Sequence, residues 1–217
     1  MDIEQARFNM IEQQIRPWNV LDDDVLDTLS EVPRERFVPE EYQQLAFSDL
    51  EIPIAHGQQM MSPKVEGRML QALHIDAQDQ VLEIGTGTGF ATACLAKLGN
   101  FVTTIDIFPE FIDAARKTHA GLSLGNIFYH QADIFEHLDS LGKFDAIAIT
   151  AALPQYLHRF EEKLNPGGRL FCVVGSPPVM NAQLTTCIAE GDYLQETLFE
   201  TQLSPIINYT APKEFEF

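Results

Sequence analysis

Val81-Leu82-Glu83-Ile84-Gly85-Thr86-Gly87-Thr88-Gly89-Phe90 is the stretch whose reading decides the fold. An apolar run ends in a carboxylate, three alternate glycines follow, and Ala91 to Leu98 then has helix-forming composition. The pattern reads as strand, tight turn and helix. Glycines at such a turn let the backbone take positive φ and approach a ligand closely. A second apolar run, Phe101 to Ile105, ends in Asp106, twenty-one residues after Gly85. An acidic residue at the tip of the second strand is placed to accept hydrogen bonds from ribose hydroxyls.

Two nucleotide readings compete for this loop. A dinucleotide site wants Gly-x-Gly-x-x-Gly, which would require glycine at position 90, where Phe90 stands. The observed Glu-x-Gly-x-Gly-x-Gly resembles instead the first motif of S-adenosylmethionine-dependent methyltransferases. A glycine-rich turn without a ligand is the plain alternative, against which Asp106 weighs.

Outward from the loop, strands and helices alternate. Ile127 to His130 is a third strand with Asp133 just beyond it, and Pro109 to His119 is a helix with Phe111, Ile112 and Ala115 inward. Phe144 to Thr150 is a fourth strand, apolar enough for burial on both faces. A helix over 157–163 ends at the turn Asn165-Pro166-Gly167-Gly168, and Arg169 to Val174 is the fifth strand. Right-handed crossovers make this an α/β fold, a doubly wound Rossmann-like sheet. Leu184 to Ala189, Tyr193 to Thr201 and Leu203 to Tyr209 are expected as strands of an antiparallel edge.

Before the loop lies a helical extension. Residues 3–15 have helical spacing with Phe8, Ile11 and Ile15 on one stripe. Asp22-Asp23-Asp24 caps a helix carrying Val25, Leu26 and Leu29. Ser62-Pro63 predicts another helix start, with Ser62 as cap and an end near Leu73. The expectation is one domain, with 1–79 as N-terminal helices and acceptor side, 80–176 as cofactor core, and 177–217 as sheet edge.

Composition narrows the function classes. The formal net charge of −18, with 14 Lys and Arg in 217 residues, argues against sequence-independent nucleic-acid binding and against anionic membrane surfaces. No apolar run approaches the ~18 residues of a membrane span. Met1-Asp2-Ile3-Glu4 opens acidic, unlike a leader peptide. Cys94, Cys172 and Cys187 show no Cys-x-x-Cys and read as core thiols in a reducing compartment. The histidines show no ligand spacing, so no metal is expected, and a cytoplasmic location is.

The N-terminal half makes a resemblance specific. Met10-Ile11-Glu12-Gln13-Gln14-Ile15, Val32-Pro33-Arg34-Glu35-Arg36-Phe37-Val38-Pro39, Ala46-Phe47-Ser48-Asp49, Ile52-Pro53-Ile54 and Gly57-Gln58 resemble the opening of protein-L-isoaspartate O-methyltransferases. The glycine loop, Phe144-Asp145 through Ala152, and Leu164 to Leu170 continue the match. The resemblance implies methyl transfer from S-adenosylmethionine, with S-adenosylhomocysteine as product, to a protein or peptide carboxylate. It implies a cofactor site of Glu83, Gly85, Thr86, Gly87, Gly89, Asp106 with Ile107, Asp133 with Ile134, and Thr150.

One departure bears on the acceptor. After Gly-Gln the family has Thr-Ile-Ser, a variable residue and Pro; here Gln59-Met60-Met61-Ser62-Pro63 stand. The family's active-site serine falls on Met61 and its threonine on Gln59. A thioether carries no hydroxyl, and Ser62 is one residue late. Gln59, Met60, Met61 and Ser62 are therefore the acceptor-side candidates. Two readings follow: a repair enzyme that tolerates Met61, or the same fold acting on another protein or small-molecule acceptor. A non-catalytic cofactor-binding adaptor is a third, disfavoured by the intact loop. His56 either lines the acceptor cleft or is solvated, and Trp18 either covers the site or anchors the N-terminal helices.

Overall fold

The computed structural model describes residues 2–210. A seven-stranded sheet forms the spine. In chain order, β1 (Ile52–Pro53) and β2 (Gln59–Met60) make a small antiparallel pair, followed by β3 (Gln80–Ile84), β4 (Phe101–Asp106), β5 (Ile127–Gln131), β6 (Phe144–Leu153), β7 (Leu164–Ser176), β8 (Val179–Ala189) and β9 (Asp192–Glu200). The order across the large sheet is β5-β4-β3-β6-β7-β8-β9. The pairs from β5 to β7 are parallel, and those of β7 with β8 and β8 with β9 are antiparallel. The chain leaves β3 towards β4 on one side and returns to β6 on the other. That reversal is the topological switch where open α/β sheets bind ligands, at the carboxyl ends of their strands.

Strand alternation sorts the core into two layers. Val81, Val102, Ala146, Ala148 and Phe171 face α4 (Phe90–Leu98) and the N-terminal helices α1 (Ile3–Met10), α2 (Asp23–Glu31) and α3 (Pro63–Leu73). Leu82, Ile84, Ile105, Ile147, Ile149 and Leu170 face the opposite way, against Ile134 of the short α6 (Ile134–His137) and Phe160 of α7 (His158–Glu161). α5 (Pro109–Ala120) packs on β4 and β5, with Phe111, Ile112 and Ala115 buried as the spacing predicts. Asp22 caps α2 through the Val25 amide at 3.2 Å, again as expected.

Several expectations need correction. Phe8 is not on the buried stripe and is 58% exposed. Ile11–Ile15 forms a π-helical turn that aligns Met10 with Ile15, five residues on, and both are fully buried. Ser62 occupies the cap position of α3 but makes no capping hydrogen bond through its side chain; its carbonyl accepts from Val65 and Glu66 instead. The fifth parallel strand starts early, at Leu164, because Asn165 to Gly168 bulge out between the pairs Phe144–Leu164 and Ala146–Arg169. The helix near 157–163 is only the four residues of α7.

The C-terminal region divides. β8 and β9 are the expected antiparallel edge. Leu203 to Tyr209 is not a strand: one parallel bridge, Ala152 with Pro205, is its only ladder contact among the described residues. Pro205 has no amide hydrogen for a ladder. The segment is tied instead to the tip of β6, the Ala152 amide donating to the Ser204 carbonyl at 2.8 Å and Ile206 donating back to Ala152 at 2.9 Å. Residues 211–217 of the expected edge lie outside the described residues. No helix among the described residues is long and apolar enough to cross a membrane.

Candidate functional site

At the carboxyl ends of β3, β4, β5 and β6 the chain leaves an open cleft. Its free space, mouth included, is about 640 Å³, within the range of small-molecule sites, roughly 300–1,000 Å³. Gly85, Gly87, Asp106, Ile107, Asp133, Ile134 and Thr150 all line it, together with Gln59 from the acceptor side.

The loop's geometry explains these placements. Gly85, Gly87 and Gly89 all have positive φ, at 99°, 50° and 87°. A Cβ on Gly85 would overlap the Thr150 hydroxyl, which donates to the Gly85 carbonyl at 2.6 Å and to Ile84 at 3.1 Å. Asp106 accepts from the Gly87 amide at 2.9 Å on one oxygen and from the Phe108 amide at 2.9 Å on the other. Burial raises its pKa, with those amides pulling the other way. These two bonds leave each oxygen a further lone pair, towards which the Ile107 and Thr86 amides also act. Asp133 caps α6 through the Phe135 amide at 2.9 Å and accepts from Asn208 at 2.7 Å.

Other candidates fall elsewhere. Gly89 lines no part of the cleft; a Cβ there would stand 2.7 Å from Ala115 Cβ and 2.9 Å from the His119 ring. Its glycine serves the packing of α4 on α5. Glu83 is fully buried and lines no part of the cleft either. It alternates with Leu82 and Ile84, so it points into the α4 layer, where Oε2 accepts from Thr92 and, at 2.6 Å, from Thr104. Oε1 is buried without a partner among the described residues, and burial pushes the carboxyl up to about 8. Thr86 meets the same network, its hydroxyl 2.6 Å from that of Thr104.

A smaller pocket, the inner pocket, adjoins the cleft at the loop. It shares Ile54, Gln59, Gly85, Gly87 and Thr150 with the cleft and adds Met60, Met61, Glu66, Thr86, Thr88, Phe90 and Ala91. Met60 and Met61 are each 5% exposed, and Gln59 Oε1 accepts from Ser204 at 3.3 Å. Ser62 lines neither space.

Sequence reasoning missed three contributors. Ile206 and Ile207 form a wall of the cleft. Phe108 and Phe111 form another, with His56 stacked on Phe108 at a centroid distance of 3.9 Å. Arg34, fully buried, pairs with Glu66. Trp18 meets Phe199 edge-on at 6.4 Å and lies off the cleft, the anchoring alternative. Among the described residues no group of three or more His, Cys, Asp or Glu is arranged to hold a metal ion.

The family model described as protein-L-isoaspartate(D-aspartate) O-methyltransferase matches residues 5–208. The chain is 34% identical over 199 residues to the protein-L-isoaspartate O-methyltransferase of Rhodopseudomonas palustris, covering 91% of each chain. To that of a Picosynechococcus species it is 36% identical over 170 residues, 78% of this chain and 77% of the relative. Among solved structures it is similar to a crystal structure from Plasmodium falciparum, described there as an isoaspartate O-methyltransferase in complex with S-adenosyl-L-homocysteine. The TM-score is 0.80 at 18% identity, covering 94% and 98% of the two chains, a likeness of fold.

Proposed function

The chain belongs to the protein-L-isoaspartate(D-aspartate) O-methyltransferase family, and from that membership we propose that it methylates the free carboxylate of isoaspartyl residues in proteins, as a step of protein repair. The observation that carries this reading is the order of groups along the cleft. Asp133 and Ile134 follow β5, Asp106 and Ile107 stand at the end of β4, and Gly85 to Gly87 follow β3, strands that neighbour one another in that order, and Gly85 and Gly87 line the inner pocket as well. That order fits the adenine, ribose and amino-acid portions of S-adenosylmethionine.

When bound, the cofactor supplies a methyl carbon activated by positive sulfur. The chain's own part is binding, orientation and exclusion of water. Asp106 offers its remaining lone pairs to the two ribose hydroxyls, and Asp133 offers one to the adenine amino group. Ile107, Ile134 and Phe108 enclose the base, and Thr150 fixes the floor. Glu83 takes no part in this contact; it braces the loop from beneath through Thr92 and Thr104. An acceptor carboxylate, with a reference pKa near ~4, is already ionised at neutral pH. No general base is needed, and the rate depends on holding the acceptor oxygen in line and on replacing water with fixed dipoles. Gln59 offers an amide for that purpose, with Met60 and Met61 as apolar walls. Ser62 is left out of the acceptor site.

A second reading, transfer to a different protein or small-molecule acceptor, rests on one observation: Met61 brings no hydroxyl to the inner pocket. For partners, the charge of −18 favours a protein or small-molecule acceptor over nucleic acid. Three free, buried cysteines suit a cytoplasmic location. The test is S-adenosylhomocysteine release with an isoaspartyl peptide and its aspartyl twin. Turnover on the isoaspartyl peptide alone is expected. No turnover on either, with cofactor binding demonstrated in the same sample, would move the assignment to the second reading.

A further inference from the structure

Glu66 lies in the first turn of α3 and is 2% exposed. Its Oε2 is taken by Arg34 Nη1. Arg34 is itself held on every side: Nε donates to the Ala46 carbonyl at 2.9 Å, Nη2 to the Met61 carbonyl at 2.7 Å, and the guanidinium lies 4.8 Å from the Phe90 ring centroid. Arg34 thereby fixes both the Glu66 carboxylate and the backbone of the acceptor segment. The Arg34 bond goes to Oε2, and the Glu66 side chain forms part of the wall of the inner pocket.

The same pocket is lined by Phe90 and Ala91, the first two residues of the nine-residue α4. The N-cap is Gly89, which has no side chain to satisfy the first-turn amides. Those amides and the helix dipole favour negative charge. The lining of one pocket therefore brings together a carboxylate, a helix N-terminus and the glycine loop. This arrangement complements a zwitterionic α-amino acid.

We propose that Glu66 is the ligand of the α-ammonium group at the amino-acid end of the cofactor, with the α4 N-terminus receiving the carboxylate. The inference rests on the cofactor reading above and adds a residue to it. Position supports it, because the pocket adjoins the cleft and shares Gly85 and Gly87 with it. Glu83, the other buried carboxylate beside the loop, lines neither space. Charge supports it too. Burial pushes Glu66 up to about 7, with Arg34 holding it down, so a second cation at the pocket face stabilises the ionised form. Arg34 acts through Glu66 and is a positioning residue.

Calorimetric titration of the whole protein tests this with three ligands: S-adenosylhomocysteine, its deamino analogue, and 5′-methylthioadenosine, which lacks the amino acid altogether. The wild type is expected to bind S-adenosylhomocysteine about tenfold or more tightly than the deamino analogue, the effect of one hydrogen bond between charged groups. Glu66→Gln is expected to abolish that preference while holding 5′-methylthioadenosine within about twofold of wild type. Equal wild-type affinity for S-adenosylhomocysteine and the deamino analogue would overturn the proposal, and this comparison needs no variant. So would a Glu66→Gln protein that weakens all three ligands alike, the mark of a structural role. A wild type that binds none of them would overturn the cofactor reading itself.

Discussion

Asn208 donates its side-chain amide to Asp133 at 2.7 Å, so a residue 75 positions away holds the carboxylate at the end of β5. Ile206 and Ile207, just before it, wall the cleft. The segment after β9 is thus a strap across the proposed adenine end. Asn208→Ala frees Asp133 to rotate about its remaining bond to the Phe135 amide. The bond is solvent-exposed, so a modest effect is expected, about 2- to 10-fold weaker S-adenosylhomocysteine binding. Titration calorimetry checks it, with an unchanged melting temperature as the control for folding.

The strand-turn-helix core was legible because its signals are local. Glycines, apolar runs and strand-end acids sit within a few residues of the features they report. The strap was not. Leu203, Ile206, Ile207 and Tyr209 give an apolar density that reads as a strand, yet Pro205 cannot join a ladder and the segment's partners lie on β6 and at Asp133. The Arg34–Glu66 pair was also illegible, since 32 residues separate two charges that no periodicity connects. Glu83 was partly legible: strict alternation with Leu82 and Ile84 already sets it in the other layer from them, although the threonines it meets there belong to other elements.

The three alternate glycines look equivalent in the sequence and are not. Gly89→Ala is expected to destabilise the fold by about 2–4 kcal/mol, combining a left-handed backbone with overpacking against Ala115 and His119. The His119 ring cannot yield easily, because Nε2 donates to the Gly89 carbonyl at 2.8 Å and Nδ1 accepts from the Tyr129 hydroxyl at 2.8 Å. Gly85→Ala instead presses on Thr150 and is expected to reduce cofactor affinity. Chemical denaturation and ligand titration on the two variants separate the effects. Equal loss of affinity in both would refute the distinction.

The buried carboxyl of Glu83 gives stability a pH dependence of definite sign. In the unfolded chain it releases its proton near its ordinary value of 4.5, and in the folded chain at about 8. The folded state therefore holds the extra proton between these values, and stability falls as pH rises through that window. Glu66, raised to about 7, acts in the same direction but has largely titrated above pH 7. From pH 7 to 8, then, Glu83 dominates this pair. Wild type should lose about 2–5 °C in melting temperature over that interval. Glu83→Gln, which mimics the protonated form and cannot titrate, should show a flatter profile and melt above wild type at pH 8. A parallel pair of profiles would place the slope in other groups.

Met61 stands at the position where the family resemblance sets an active-site serine. The side chain is 5% exposed and lines the inner pocket beside Glu66, while its carbonyl is fixed by Arg34 at 2.7 Å. Because the backbone is held by that bond and not by the thioether, Met61→Ser should leave the segment in place and present a hydroxyl to the pocket. Two consequences follow. The lost apolar volume should lower stability by about 2–4 kcal/mol. The new hydroxyl can donate to an anionic acceptor oxygen, a charge-assisted bond that should raise kcat/KM on an isoaspartyl peptide by about tenfold. Steady-state kinetics below the variant's melting temperature, with the aspartyl twin as control, measure the second effect. A gain confined to the isoaspartyl peptide would show that the pocket still accepts that substrate and that Met61 limits it. An unchanged kcat/KM in a folded variant would show that the acceptor oxygen does not pass within reach of position 61, and would favour a different acceptor for this chain.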